Sequence, residues 1–100
     1  MIHELKIDPK YFAAVRSGEK RFELRRNDRD FCVGDYLALN EYDRATKAYT
    51  GRTELVRVDY TLNPNDIMTC PGGFAILSIL KISSFDRDTS KEEAHDGQTI

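Results

Sequence analysis

The stretch Gly18-Glu19-Lys20-Arg21-Phe22-Glu23-Leu24-Arg25 constrains the chain more than any other, because the backbone must change its period inside it. Upstream, Asp8-Pro9 opens a helix: Asp suits the N-cap, and Pro suits the first helical position. Phe12 and Val15, with Tyr11, give that helix an apolar face, and Ala13 and Ala14 favour it. Arg16 in the last turn suits the negative end of the helix dipole. Gly18 stops the helix, because glycine adopts the left-handed conformation at little cost. Beyond it Phe22 and Leu24 alternate with Arg21, Glu23 and Arg25, which is the period of a strand. That parity predicts Phe22 and Leu24 on a core and Arg21, Glu23 and Arg25 on the opposite face. Lys20 stands at the junction, where strand parity does not yet fix its direction.

The flanking sequence supplies more strands. Residues 2–7 read as the first and 21–26 as the second. Asn27-Asp28-Arg29-Asp30 is a turn, since Asn and Asp side chains bond their own backbone. Phe31 and Val33 are expected to pack inward, and Gly34-Asp35 turns the chain into a third strand over 36–42. There Leu37 and Leu39 form the core face, while Tyr36, Asn40 and Tyr42 share the other. Residues 43–51 read as a loop or hairpin tip. A long strand follows over 53–62, with Leu55 and either Val56 or Val58 inward and a bulge adjusting the phase. Asn63-Pro64-Asn65-Asp66 breaks it. Residues 67–73 read as a connector or a flap. Residues 74–82 are apolar nearly throughout and read as a buried central or closing strand. Five short strands and one early helix predict a mixed α/β, mainly β domain built as a small barrel.

One hundred residues make one domain, assigned here to 1–85, with a flexible polar tail over 86–100. The tail holds five acidic residues against two basic ones and could reach a protein partner. No apolar run is long enough to span a membrane and no leader is visible, so a cytoplasmic location is expected. Cys32 and Cys70 stand apart and read as reduced thiols. His3 and His95 are isolated, so neither a metal nor a cofactor is expected. The net charge of −2 argues against a protein that coats nucleic acid generally. Between Arg16 and Arg29, however, six basic residues face three acidic ones, a local patch able to attract a few phosphates.

Gly18, Lys20, Glu23 and Arg25 spell G-x-K-x-x-E-x-R, which resembles the signature of the ASCH domains, small barrels related to the PUA fold of RNA-modifying enzymes. Leu5-Lys6-Ile7, Tyr11-Phe12, the run from Arg25 to Phe31, Val33-Gly34-Asp35, Glu41-Tyr42-Asp43 and Tyr49-Thr50-Gly51-Arg52 carry the same resemblance over residues 3–82. It points to a subfamily found in bacteria and their phages. It implies a PUA-like barrel with one or two short helices, and a cleft lined by Lys20, Glu23 and Arg25 with Asn27 and Asp28 nearby.

Three functions follow as expectations. In an RNA- or nucleotide-binding module, Lys20, Arg25 and Arg26 would meet phosphate. Glu23 or Asn27 would bond a base edge, and Tyr42 or Tyr36 would stack on the base. In a hydrolase of modified nucleosides or RNA, Lys20 would stabilise developing negative charge and Glu23 would activate water. Relatives of the amidohydrolase type carry a Thr nucleophile two residues before the motif Arg, where this chain has Glu23, so that chemistry lacks its nucleophile. In a protein-interaction module, the acidic tail would be the contact.

Overall fold

The computed structural model describes residues 1–87 of the chain. Its elements run β1 (Ile2–Ile7), α1 (Pro9–Ser17), β2 (Phe22–Arg26), β3 (Tyr36–Asp43), β4 (Ala48–Leu62), a single 3-10 turn (Pro64–Asp66) and β5 (Phe74–Asp86). The five strands form one sheet in the order β1-β3-β4-β5-β2. Only β1 and β3 are parallel; the other pairs are antiparallel. The architecture is the mainly β, barrel-like fold with one short α-helix that the pattern of strands predicts.

This order puts the first two strands, though sequential, at opposite edges of the sheet. The sheet curls into a half-barrel, and side chains rather than a backbone ladder bridge the gap. Arg25 on β2 donates from Nη2 to the carbonyl of Lys6 on β1 at 2.7 Å. Arg29, just past β2, donates from Nη1 to the carbonyl of Glu4 at 3.1 Å. An open strand edge ordinarily offers a row of unpaired groups to another chain. Here two of the β1 acceptors are taken by guanidinium groups.

Phe12 and Val15 of α1 pack onto one face of this sheet against Leu5, Ile7, Leu37, Leu39, Val56, Val58, Ala75, Leu77 and Ile79. Alternate residues of β1, β3, β4 and β5 reach that core, as period two demands. Pro9 sits at the helix start and Gly18 at its end, with φ 87 and its N–H bonded to Val15 O. Asp8 occupies the N-cap position, but its side chain caps nothing. The carboxylate pairs instead with Arg44 Nε at 2.7 Å.

Several expectations are corrected by the packing. In β2 the parity is inverted: Glu23 is 3% exposed, whereas Phe22 and Leu24 are 51% and 54% exposed. In β4 Glu54 is buried and Leu55 is only half-buried, with Val56 and Val58 both inward. Irregular register between β4 and β5 at Leu55/Val56 and at Val58/Tyr60 absorbs the phase. Phe31 is buried as expected, but Val33 is exposed. β4 begins at Ala48, inside the expected loop, because Tyr42 and Asp43 pair with Tyr49 and Ala48. β5 is buried at alternate residues only as far as Ile79, leaving Leu80 and Ile82 outward. It runs on to Asp86, and Arg87 N bonds Gly51 O at 2.7 Å, so the expected tail starts within ordered strand. The remainder of that expected tail lies outside the described residues.

β1 is also fixed at its N-terminal end. His3 is buried, with Nε2 2.9 Å from Asp35 Oδ2 and its ring edge-to-face on Phe31 at 4.8 Å. Asp35 Oδ2 also accepts from Cys32 N at 3.0 Å. The bond from His3, and then that from Cys32 N, hold the Asp35 carboxyl below its ordinary value, against the opposing effect of burial. A carboxyl depressed in the folded state stabilises it above the unfolded pKa of about 3.9, and that contribution is lost as pH falls through the lower folded value. Asp35→Asn is therefore expected to lower the denaturation midpoint at pH 6 and to bring it close to that of the parent at pH 3. An equal gap at both pH values would remove Asp35 from this role.

Candidate functional site

Glutamate is rarely buried unless paired, yet this half-barrel buries three. Each is matched by cationic side chains. Glu41 accepts from Arg52 Nε at 2.8 Å, Arg52 Nη2 at 3.1 Å and Thr50 Oγ1 at 2.6 Å. Glu54 accepts from Arg16 Nε at 2.7 Å. Its other oxygen stands 3.7 Å from Lys81 Nζ, close enough for charge attraction but too far for a hydrogen bond. Arg16 Nη2 lies 2.8 Å from Asp86 Oδ1 without the alignment of a hydrogen bond.

Glu23 is the third, and it belongs to the motif stretch. Lys20 Nζ donates to Glu23 Oε1, and also to the Phe22 carbonyl at 2.8 Å. Arg25 Nε donates to Glu23 Oε2 at 2.9 Å while its Nη2 reaches Lys6 O. Both carboxylate oxygens are thus occupied by cations. Gly18 makes this possible: the chain reverses there, Lys20 N bonds Ala14 O at 2.9 Å, and the Lys20 side chain is brought over β2.

The paired group forms one wall of a cleft of about 500 Å³ between α1, the end of β1 and β2. Lys6, Lys20, Arg25, Arg26 and Arg44 line it, against the carboxylates of Asp8 and Glu23. Tyr11, Phe22, Ile7 and Leu24 supply apolar surface. Lys20 Nζ lies 5.6 Å from the Tyr11 ring centroid and 4.9 Å from that of Phe22, between two exposed rings. Arg26 stacks on Phe74 at 5.1 Å and donates to Gly72 O at 2.9 Å, tying the 71–73 turn to β2.

The structure therefore brings Lys20, Glu23, Arg25 and Arg26 together in one cleft. The other residues singled out in the sequence lie elsewhere. Asn27 accepts from Phe31 N at 3.2 Å and borders a separate hollow with Thr61 and Phe74. Asp28 is exposed on the turn beyond β2 and does not line the cleft. Tyr42 is half-buried beneath Lys6 Nζ at 4.3 Å, and Tyr36 pairs within the sheet opposite Arg57. Sequence reasoning missed Lys6, Tyr11 and Arg44 as lining residues, and it placed Phe22 in the core. The sequence grouped Tyr11 with Phe12 and Val15 on the apolar face of α1, but only Phe12 and Val15 are buried and Tyr11, one position round the helix from Phe12, is exposed. Lys6 and Arg44 had no signal in the sequence, because sheet curvature brings them there.

Among the described residues, no group of three or more His, Cys, Asp or Glu side chains is arranged to hold a metal ion. Among them, too, no helix is long and apolar enough to cross a membrane.

Residues 2–79 match the family described as a domain of unknown function, DUF3850. The chain belongs to that family. The match takes in the whole cleft together with β1, α1, β2, β3 and β4. The chain is also similar to an uncharacterized 12.9 kDa protein in the GpA 3' region of Escherichia phage P2, with 42% identity over 57 residues. That alignment covers 57% of this chain and 50% of the phage protein, so the chain spans about half the length of its curated relative.

The geometry of Glu23 yields a stability test. Glu23→Gln keeps the shape but leaves Lys20 and Arg25 without their counter-charge, at an expected cost of about 2 kcal/mol, below the buried-pair range because both cations retain some solvent. Arg44→Ala removes an exposed pair and is expected to change stability by about 0.5 kcal/mol or less. Urea denaturation of both variants measures the contrast, and equal small effects would make Glu23 an ordinary surface charge.

Proposed function

We propose that this chain is a cytoplasmic ASCH-type module that binds RNA or a nucleotide-like anion in the cleft between α1, β1 and β2. The observation that carries the reading is the composition of that cleft: five cations against two carboxylates, flanked by the exposed rings of Tyr11 and Phe22. Phosphate needs cationic N–H donors, and a base needs a flat apolar partner. The cleft's size lies in the range of pockets that hold small ligands.

The two carboxylates offset only part of the positive charge and leave the cleft with an excess of cations. Asp8 is held by Arg44, and Glu23 by Lys20 and Arg25. Lys6 has no carboxylate partner among the described residues; its ammonium rests over Tyr42, and its side chain lines the cleft. Lys6 is therefore the cation best placed for phosphate, supported by Arg26. Tyr11 and Phe22 replace Tyr36 and Tyr42 as the stacking surface.

The same geometry weakens the hydrolytic alternative. A general base must reach the water it activates, and Glu23 is buried with a cation on each oxygen. Glu23 acts as the counter-ion that fixes Lys20 and Arg25, and the pair shapes the cleft.

Isothermal titration with nucleoside monophosphates and short single-stranded RNA tests the reading. Saturable binding that weakens steeply with salt is expected. Tyr11→Ala should cost about tenfold in affinity, as loss of one stacked base contact does. Absence of saturable binding by any of these ligands at low salt, with the protein folded, would overturn it.

A further inference from the structure

The cleft does not end at Lys6 and Arg25. Both side chains also line a second hollow with Glu4, Leu5, Arg29, Asn40 and Tyr49. Glu4, Asn40 and Tyr49 in turn line a third, which reaches Arg52 and Thr53 at the bulged end of β4. The three hollows adjoin through shared side chains and form a groove that runs from the open edge of β1 across β3 to β4.

We propose that this groove holds a second nucleotide subsite, so that the ligand is a single-stranded oligonucleotide rather than a mononucleotide. The inference rests on the reading of the first cleft as a nucleotide site. Its evidence is separate: a further exposed ring, a further set of cations and a polar acceptor, all on the far side of Lys6.

Tyr49 is 56% exposed although it lies within the sheet. Its ring is held edge-to-face by Tyr42 at a centroid distance of 5.0 Å, and Lys6 Nζ lies 5.9 Å from it. A ring fixed on a strand, open on one side, is a stacking platform available to any base. Lys6 borders both the first cleft and the second hollow, which is where the phosphate linking two nucleotides would lie. Arg29 spends a single N–H on Glu4 O, leaving its other donors for the backbone of the ligand.

The Glu4 carboxylate lies in the groove and opposes phosphate there. Its Oε1 accepts from Asn40 Nδ2 at 3.3 Å. That leaves Oε2 to accept from a base N–H, and so places the base, not the phosphate, over Glu4. The same edge does not suit a peptide strand. The Glu4 and Lys6 carbonyls that strand addition would use are already bonded to Arg29 and Arg25.

The test compares a mononucleotide with single-stranded RNA of two to four units by titration against the parent and Tyr49→Ala. The oligonucleotide is expected to bind the parent about tenfold more tightly than the mononucleotide, and Tyr49→Ala should remove that increment while Tyr49→Phe keeps it. Equal affinities for the two ligands in the parent would overturn the second subsite and leave the first standing. An increment that survives in Tyr49→Ala would likewise overturn it. Binding of neither ligand would overturn both.

Discussion

The half-barrel depends on one buried carboxylate. Glu23 sits almost fully out of water on an edge strand, where an unpaired charge would cost several kcal/mol. Lys20 and Arg25 offset that cost, and in doing so each is fixed in direction. Arg25 then spends a further N–H on the carbonyl of Lys6, which ties the β2 edge to the β1 edge. The sheet order places those strands at opposite ends of the hydrogen-bonded ladder. The contact from Glu23 through Arg25 to Lys6, with that of Arg29 to Glu4 O, bridges the open side of the curved sheet. The cleft lies at that closure, and its walls are the same residues.

The same device recurs along the inner face. Glu41 and Glu54 are buried beside α1, and their partners Arg52 and Arg16 both lie over the Phe12 ring, at 5.3 Å and 4.8 Å. Phe12 thus packs against two guanidinium groups that also pair with the sheet's buried acids. Truncating one partner of such a pair strands the other, so these contacts favour one helix position over its neighbours. Membership of the DUF3850 family covers the strands and the helix that carry all three glutamates.

Much of this was legible in the sequence where local chemistry decides it. Pro9 and Gly18 bound the helix, Leu37 and Leu39 mark the core face of β3, and Pro64 ends β4. The facing of β2 was not legible. Period two states that Phe22 and Glu23 point opposite ways; it does not state which way is in. An apolar-inside rule chooses Phe22, and it fails because Lys20 and Arg25 converge on Glu23 only after Gly18 reverses the chain. Likewise the partner of Glu54 is 38 positions away on the helix, and sequence spacing cannot pair them. The motif stretch was visible as a charged constellation, but Lys6, Arg44 and Tyr49 join it through curvature of the sheet.

The central claim is that the closure of β1 onto β2 builds a ligand site. Amide chemical-shift mapping during titration with short single-stranded RNA tests it most directly. Shifts concentrated at Lys6, Tyr11, Lys20 to Arg26 and Tyr49 are the predicted result. Saturable shifts centred instead on the outward face of β4 and β5, around Tyr60, Leu80 and Ile82, would contradict it.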